Sequence, residues 1–211
     1  MEKIYNEILS QVYGARFKEY GATAKGSFWL NRQRQEARFR IIAQELSRLA
    51  NGTAVNIADI GCGYGAFANY LLETRDLEVF EYTGYDICPQ LIEKCRHHSP
   101  SKAFNFEVAS APLFPTMFTV MSGTYNLSVT LDIKNWEDYV LTCLETCWKQ
   151  TTFAMIFNLQ VEERSMITKN NIYYANKVAT LEACNTRFGP TKVITNNELP
   201  KDATFVALRA G

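Results

Sequence analysis

Apolar and polar residues follow two rhythms along this chain. From Gln33 to Ala50 apolar side chains fall at Phe39, Ile42, Leu46 and Leu49, with arginines and glutamates filling the other positions. That period predicts an amphipathic helix ended by Asn51-Gly52. The run VNIADIG, starting at Val55, predicts a short buried strand that stops at a glycine-rich turn, and Phe67, Leu71 and Leu72 predict the helix after it. EYTGYDI predicts a second strand, and Pro89 suits the first position of a helix running to about Arg96.

AFNFEVA (103–109) and MFTVMSG (117–123) predict two more strands, separated by the proline-bounded loop APLFPT. Asn135 is the expected cap of a helix whose apolar stripe is Trp136, Tyr139, Val140, Cys143, Leu144, Cys147 and Trp148. TTFAMIFNL predicts a fifth strand. TKVITNNEL and ATFVALRA are separated only by Pro200-Lys201-Asp202, so they are expected to be antiparallel neighbours. Strands alternating with helices predict an α/β fold: a doubly wound, mainly parallel seven-stranded sheet with an antiparallel last strand and helices on both faces. The polar, tyrosine-bearing stretch from Gln160 to Gly189 is the least patterned, with a helix expected around Lys177 to Cys184.

Composition narrows the function. The 211 residues fit one domain, and 22 basic against 22 acidic side chains give no net charge to draw in nucleic acid. The six cysteines are scattered and read as reduced core thiols, with no paired spacing for a metal. No export signal and no apolar run near the ~20 residues of a membrane span is visible. A cytoplasmic protein is expected, monomer or homodimer, with no membrane and no nucleic-acid partner.

The chemistry concentrates in ADIGCGYGAF, Ala58 to Phe67. Glycines between the end of a strand and the start of a helix let a ligand touch the main chain, and unpaired N–H groups there favour polar or anionic atoms. Gly61, Gly63 and Gly65 therefore line a ligand, while the side chains of Cys62 and Tyr64 point elsewhere. Asp86 ends the next strand, 21 residues past the third glycine, where a carboxylate accepts hydrogen bonds from both hydroxyls of a ribose. A nucleoside ligand follows. GCGYGA also fits the dinucleotide fingerprint, so a nicotinamide-dependent oxidoreductase stays open, as does a non-catalytic nucleoside-binding protein. Three observations favour S-adenosylmethionine instead. Asp59 would repel a pyrophosphate but suits a methionine ammonium. Some fifty mostly helical residues precede the loop. The sheet ends in an antiparallel hairpin, leaving too little chain for a substrate domain.

These residues resemble the class I S-adenosylmethionine-dependent methyltransferases: ADIGCGYG is similar to their first motif and GYDICPQLI to their ribose-binding segment. By that resemblance Asp59 and the glycine loop, Gly61, Cys62, Gly63 and Gly65, hold the methionine end. Asp86 holds the ribose, and Ile87 covers one adenine face. Where the family commonly has Gly-Asp this chain has Ala109-Ser110, and Ser110 or main chain reads the adenine amino group. Residues 1–52 become a helical lid, 53–159 the donor-binding core, and 160–211 an acceptor-side insert with the final hairpin. Within the lid, Trp29 would exclude water and Arg38 would clasp the methionine carboxylate.

The segment from Ser122 to Asn126 lies where related enzymes carry their acceptor-side motif. Ser122 borders the donor, and Tyr125 and Asn126 are the expected catalytic pair, with Asn158, Tyr173 and Tyr174 as lesser contributors. Asn-Pro-Pro-Tyr, the pattern of adenine and glutamine methylators, is missing. Together with neutral charge and short length this implies methyl transfer to a small-molecule acceptor, releasing S-adenosylhomocysteine. His97 and His98 are expected to finish a helix rather than act as a base.

Overall fold

The computed structural model describes residues 2–28, 31–74, 77–99 and 101–209. Trp29 lies outside the described residues. Two helices come first, α1 (Glu2–Tyr20) and α2 (Arg32–Ala50), separated by a short 3-10 turn at Lys25–Ser27. Then the predicted alternation runs its course: β1 (Val55–Ile60), α3 (Ala66–Thr74), β2 (Val79–Asp86), α4 (Pro89–His97), β3 (Phe104–Val108), β4 (Thr116–Met121), α5 (Ile133–Gln150) and β5 (Thr151–Glu162). The chain ends with β6 (Met166–Ile167), β7 (Tyr173–Asn176), α6 (Lys177–Phe188), β8 (Thr191–Asn196) and β9 (Leu199–Leu208).

Seven of these strands form the main sheet in the order β3-β2-β1-β4-β5-β9-β8, with β1 to β5 mutually parallel and β9 antiparallel to both its neighbours. Right-handed crossovers in such a sheet place the ligand crevice beyond the carboxyl ends of β1 and β4, where the strand order reverses. The two faces carry separate cores. Ile42 of α2, Phe67 of α3 and Ile92 of α4 pack with Tyr82 and Phe118 on one face. Trp136, Tyr139 and Cys147 of α5 pack with Phe157 and Phe205 on the other. Each of the six cysteines is a buried free thiol.

Four local readings change. The hairpin between β8 and β9 turns at Asn197-Glu198, where the Glu198 N–H donates to Asn196 Oδ1 at 2.7 Å. This Asx turn closes the chain earlier than expected. Pro200-Lys201-Asp202 instead lies in β9, in a bulge opposite β8, and Asp202 pairs with Gln160 of β5. Asp132, not Asn135, caps α5, its carboxylate accepting from the Asn135 N–H at 2.9 Å. The unpatterned insert holds β6 and β7, strands too short to show a period, which continue the sheet from the last two residues of β5. Finally, the polar side of α2 is partly interior: Gln35, Arg38 and Glu45 are buried.

Phe118 sits at the centre of β4, fully buried, whereas Phe114 in the preceding loop is 73% exposed. Phe118→Ala should cost about 3–5 kcal/mol in urea unfolding, by lost transfer energy plus the cavity left behind. Phe114→Ala should stay within about 0.5 kcal/mol.

Candidate active site

Beyond the carboxyl ends of β1, β2 and β4 the structure forms a narrow cleft. Its floor includes Gly61 and Gly63, its sides Asp86, Ile87 and Ser110, and its far wall Ser122 and Tyr125. The roof is α1, through Asn6, Leu9 and Tyr13. Ser10 ties that helix down by donating to the Ile87 carbonyl at 3.0 Å.

Asp86 organises the floor. Its buried carboxylate accepts from the Gly63 N–H at 2.9 Å and from the Cys88 N–H at 2.8 Å. The N–H groups of Gly61 and Cys62 both donate to the Tyr85 carbonyl, at 2.7 and 3.0 Å. This corrects one expectation from the sequence: the first three N–H groups of the loop are spent on β2 rather than left for an anion. A pyrophosphate finds little to bind there, which is a physical reason against a dinucleotide.

The glycines also need a finer account. Gly61 has φ +72°, and a Cβ added to it would sit 2.7 Å from the Thr124 methyl group. Thr124 is fixed by donating to the Ile60 carbonyl at 2.8 Å. What excludes a side chain at Gly61 is therefore the protein's own second loop together with a left-handed backbone. The Cys62 thiol lies under the loop, buried against the Gly84 backbone, so its side chain turns away from the cleft as expected.

Asp59 occupies a smaller chamber under the same loop, with Gln35, Gly61, Gly63 and Ser122 around it. Tyr82 donates to its Oδ2 at 2.6 Å, and Gln35 accepts from the Tyr64 hydroxyl at 3.0 Å. Burial pushes the Asp59 carboxyl up to about 7, against the Tyr82 hydrogen bond that pulls it down. Burial likewise pushes Asp86 up to about 6, although the Cys88, Gly63 and Ile87 N–H groups oppose it. Two buried carboxylates in adjoining chambers, Asp86 on the cleft and Asp59 under the loop, suit a ligand that brings hydroxyl donors and a positive charge.

A second cleft, of about 350 Å³, opens beside the first and shares Tyr13 and Gly123 with it. Gly123 has φ +79°, and its N–H donates to Asn158 Oδ1 at 2.6 Å. Asn158 in turn donates from Nδ2 to Asp202 Oδ1, and Asp202 Oδ2 accepts from Arg38 Nη2, both at 2.5 Å. Four elements are joined by this buried chain. It also corrects the expected role of Arg38: its charge is matched by Asp202, and it lines the second cleft rather than the donor end.

Tyr125 and Asn126 diverge. The Tyr125 ring enters the first cleft and the core beneath it, edge-on to Tyr139, so it is not a wall of the second cleft. Asn126 lines the second cleft; its Oδ1 accepts from the Gln160 N–H at 2.9 Å while its Nδ2 is buried without a partner. Ser122 Oγ is likewise buried without a hydrogen-bond partner, whereas the Tyr125 hydroxyl lies against the Cys147 thiol. Ser122 Oγ and Asn126 Nδ2 are thus two buried polar atoms of one short loop left for a ligand or water to satisfy. Tyr174 lines the second cleft, and Tyr173 is buried with its hydroxyl donating to Glu137. His97 and His98 end α4, far along the helix from the cleft residues, as expected. Among the described residues no group of three or more His, Cys, Asp or Glu could hold a metal ion, and no helix is long and apolar enough to cross a membrane.

Sequence reasoning expected a lid from residues 1–52 but named none of the α1 side chains that face the cleft. Tyr5, Leu9 and Tyr13 repeat at every fourth position, a helical stripe that packs on Trp136, Tyr139 and Phe28. Tyr139 and Cys143, read only as core, also line the first cleft.

A methyltransferase fold with a nucleoside cleft is what these elements define. The family profile described as methyltransferase domain matches residues 32–164, and the chain belongs to that family. A Mycobacterium tuberculosis protein that carries a methyltransferase name, Rv1506c, is 24% identical over 144 residues, 67% of this chain and 86% of its own. Among solved structures, a S-adenosylmethionine-dependent methyltransferase from Leishmania major superposes with TM-score 0.70 at 12% identity, covering 95% of this chain and 82% of that one. Magnesium protoporphyrin IX methyltransferase from Synechocystis PCC 6803, with bound S-adenosylmethionine, gives 0.65 at 10% identity and covers 97% of both chains. The protein is a class I S-adenosylmethionine-dependent methyltransferase. Its cleft suits that cofactor: buried carboxylates for hydroxyl and ammonium donors, and an orphaned Ser122 hydroxyl at the boundary of both chambers.

The raised carboxyls set a pH dependence. In the ligand-free protein each folded pKa lies above the unfolded value near 3.9. Their contribution to stability is therefore full below about pH 4 and is lost as pH rises through about 6 for Asp86 and about 7 for Asp59. Ribose hydroxyls and an ammonium need the ionised forms, so binding runs the other way. Calorimetric affinity for S-adenosylhomocysteine should be level above about pH 8, fall about tenfold per unit between about 7 and 6, and approach about a hundredfold per unit below about 6, where both carboxyls must lose a proton. Asp86→Asn should weaken binding and remove the part of the slope near pH 6, and an unchanged slope would contradict the assignment.

Proposed function

We propose that the enzyme methylates a small organic molecule, with the first cleft holding the donor and the second the acceptor. The reading rests on one observation above all: the two clefts share Gly123 and Tyr13, and the second has a volume of about 350 Å³. That lies in the range of about 300–1,000 Å³ usual for small-molecule sites. Gly123, without a side chain, is the natural window between donor and acceptor.

Bound in the first cleft, the cofactor supplies a methyl group already activated on a sulfonium. The residues have to orient, neutralise and exclude water. Asp86 accepts from the ribose hydroxyls, Ile87 packs on the base, and Ser110 faces its edge. Asp59 and the Ser122 hydroxyl serve the methionine end, with the main chain of Gly61, Cys62, Gly63 and Gly65 as the floor. Gln35 replaces Arg38 as the α2 side chain at that end. Tyr125 supports the donor wall from below, and Asn126 orients the acceptor through its free amide N–H. The titratable side chains of the second cleft are tyrosine, arginine and lysine, so the acceptor atom arrives with its lone pair available and catalysis is chiefly alignment. Arg38, Asp202 and Asn158 act at one remove, holding Gly123 in place.

Residues 1–52 act as a lid in this scheme, with Asn6, Leu9 and Tyr13 of α1 facing the donor cleft. Residues 53–159 bind donor, and 160–211 complete the acceptor side. Buried free thiols at all six cysteines support a reducing, cytoplasmic setting.

Incubating the enzyme with methyl-labelled donor and a cell extract, then separating products by size, tests the proposal. Label should appear in the small-metabolite fraction. Label confined to protein or nucleic acid would contradict it.

A further inference from the structure

We infer that the acceptor is a small planar carboxylic acid whose carboxylate rests on Arg34, an assignment that builds on the second cleft being the acceptor site. α2 carries five arginines. Four of them meet carboxylates: Arg32 with Glu36, Arg38 with Asp202, Arg40 with Glu198 and Arg48 with Glu45. Arg34 does not. Its main-chain N–H is taken by the Asn31 cap at 2.9 Å, while its half-buried guanidinium lines the second cleft and makes no ion pair with any described residue. Lys201, on the same cleft, is neutralised by Glu162.

Two features make this cation a cost without a ligand. It stands in the first turn of α2, where the helix dipole disfavours positive charge. It also remains part-buried with no counter-charge, a state proteins usually resolve by pairing. An incoming carboxylate removes both penalties and matches the flat fork of a guanidinium with two parallel hydrogen bonds.

Asn126 gives the second, independent sign. Its side chain is only 6% exposed, and the bond from the Gln160 N–H to Oδ1 fixes which end of the amide is which. The donor end, Nδ2, lacks an acceptor. A group that accepts hydrogen bonds completes it. Planarity comes from the walls: Tyr13 and Phe28 meet edge to face at 5.3 Å, and the Tyr174 ring stands under the Lys201 ammonium at 5.7 Å. Rings of this kind favour a flat, unsaturated body.

Matched acid and amide pairs provide the test: benzoate with benzamide, 2-naphthoate with 2-naphthamide, and indole-3-acetate with indole-3-acetamide. Each is titrated into enzyme saturated with S-adenosylhomocysteine, with binding read by ligand-observed NMR. At least one acid should bind about tenfold or more tightly than its amide. Arg34→Met should abolish that preference, Arg34→Lys should keep part of it, and neither should change affinity for S-adenosylhomocysteine. If no acid outbinds its amide, or if Arg34→Met keeps the preference, the inference is overturned. The two levels separate cleanly. Label appearing only on macromolecules would remove the small-molecule reading itself, whereas labelled small products with no acid preference would remove only the carboxylate.

Discussion

A single buried carboxylate braces the glycine loop and the first cleft of this enzyme. Asp86 ends β2 and binds the main chain of two different crossovers, at Gly63 after β1 and at Cys88 before α4. Removing it from water raises its pKa, and the N–H groups only partly offset that cost. In the proposed reading the same two oxygens that brace the loop also accept the ribose hydroxyls. Loop shape and sugar recognition would then be one interaction.

At the other end, the chain from Arg38 through Asp202 and Asn158 to Gly123 braces the loop of the second cleft as Asp86 braces the loop of the first. Its members come from α2, β9, β5 and the loop after β4, so it forms only when the antiparallel β9 has docked beside β5. Breaking one member leaves a buried charge or amide unpaired, which is far more costly than exchanging surface groups. The bulge at Pro200–Asp202 has a purpose in this light: it sets Asp202 between Arg38 and Asn158, with Pro200 and Lys201 on the second cleft.

Much of this was legible in the sequence because it is local. Strand runs, helix stripes, the glycine turn and Asp86 all follow from periods and spacings within about thirty residues, and the mainly parallel, doubly wound sheet follows from the alternation of elements. What escaped depends on distant partners. Arg38 looks like a free cation until Asp202, 164 residues away, is placed beside it. Tyr125 and Asn126 are adjacent in the chain, but only the packing of Tyr125 on Tyr139 decides that their side chains part company. The stripe of α1 was hidden because Ile4, Ile8 and Val12 make its outer face apolar too. The β6 and β7 strands are too short for any period to register.

The central claim is that Asp86 and the glycine loop receive the nucleoside while α1 closes over it. A crystal structure of the protein with S-adenosylhomocysteine tests this most directly. The account predicts both ribose hydroxyls on the Asp86 carboxylate, the base between Ile87 and Ser110, and Leu9 and Tyr13 packed across the ligand. Finding the nucleoside outside this cleft, or in it with Asp86 still bonded only to Gly63 and Cys88, would contradict the account.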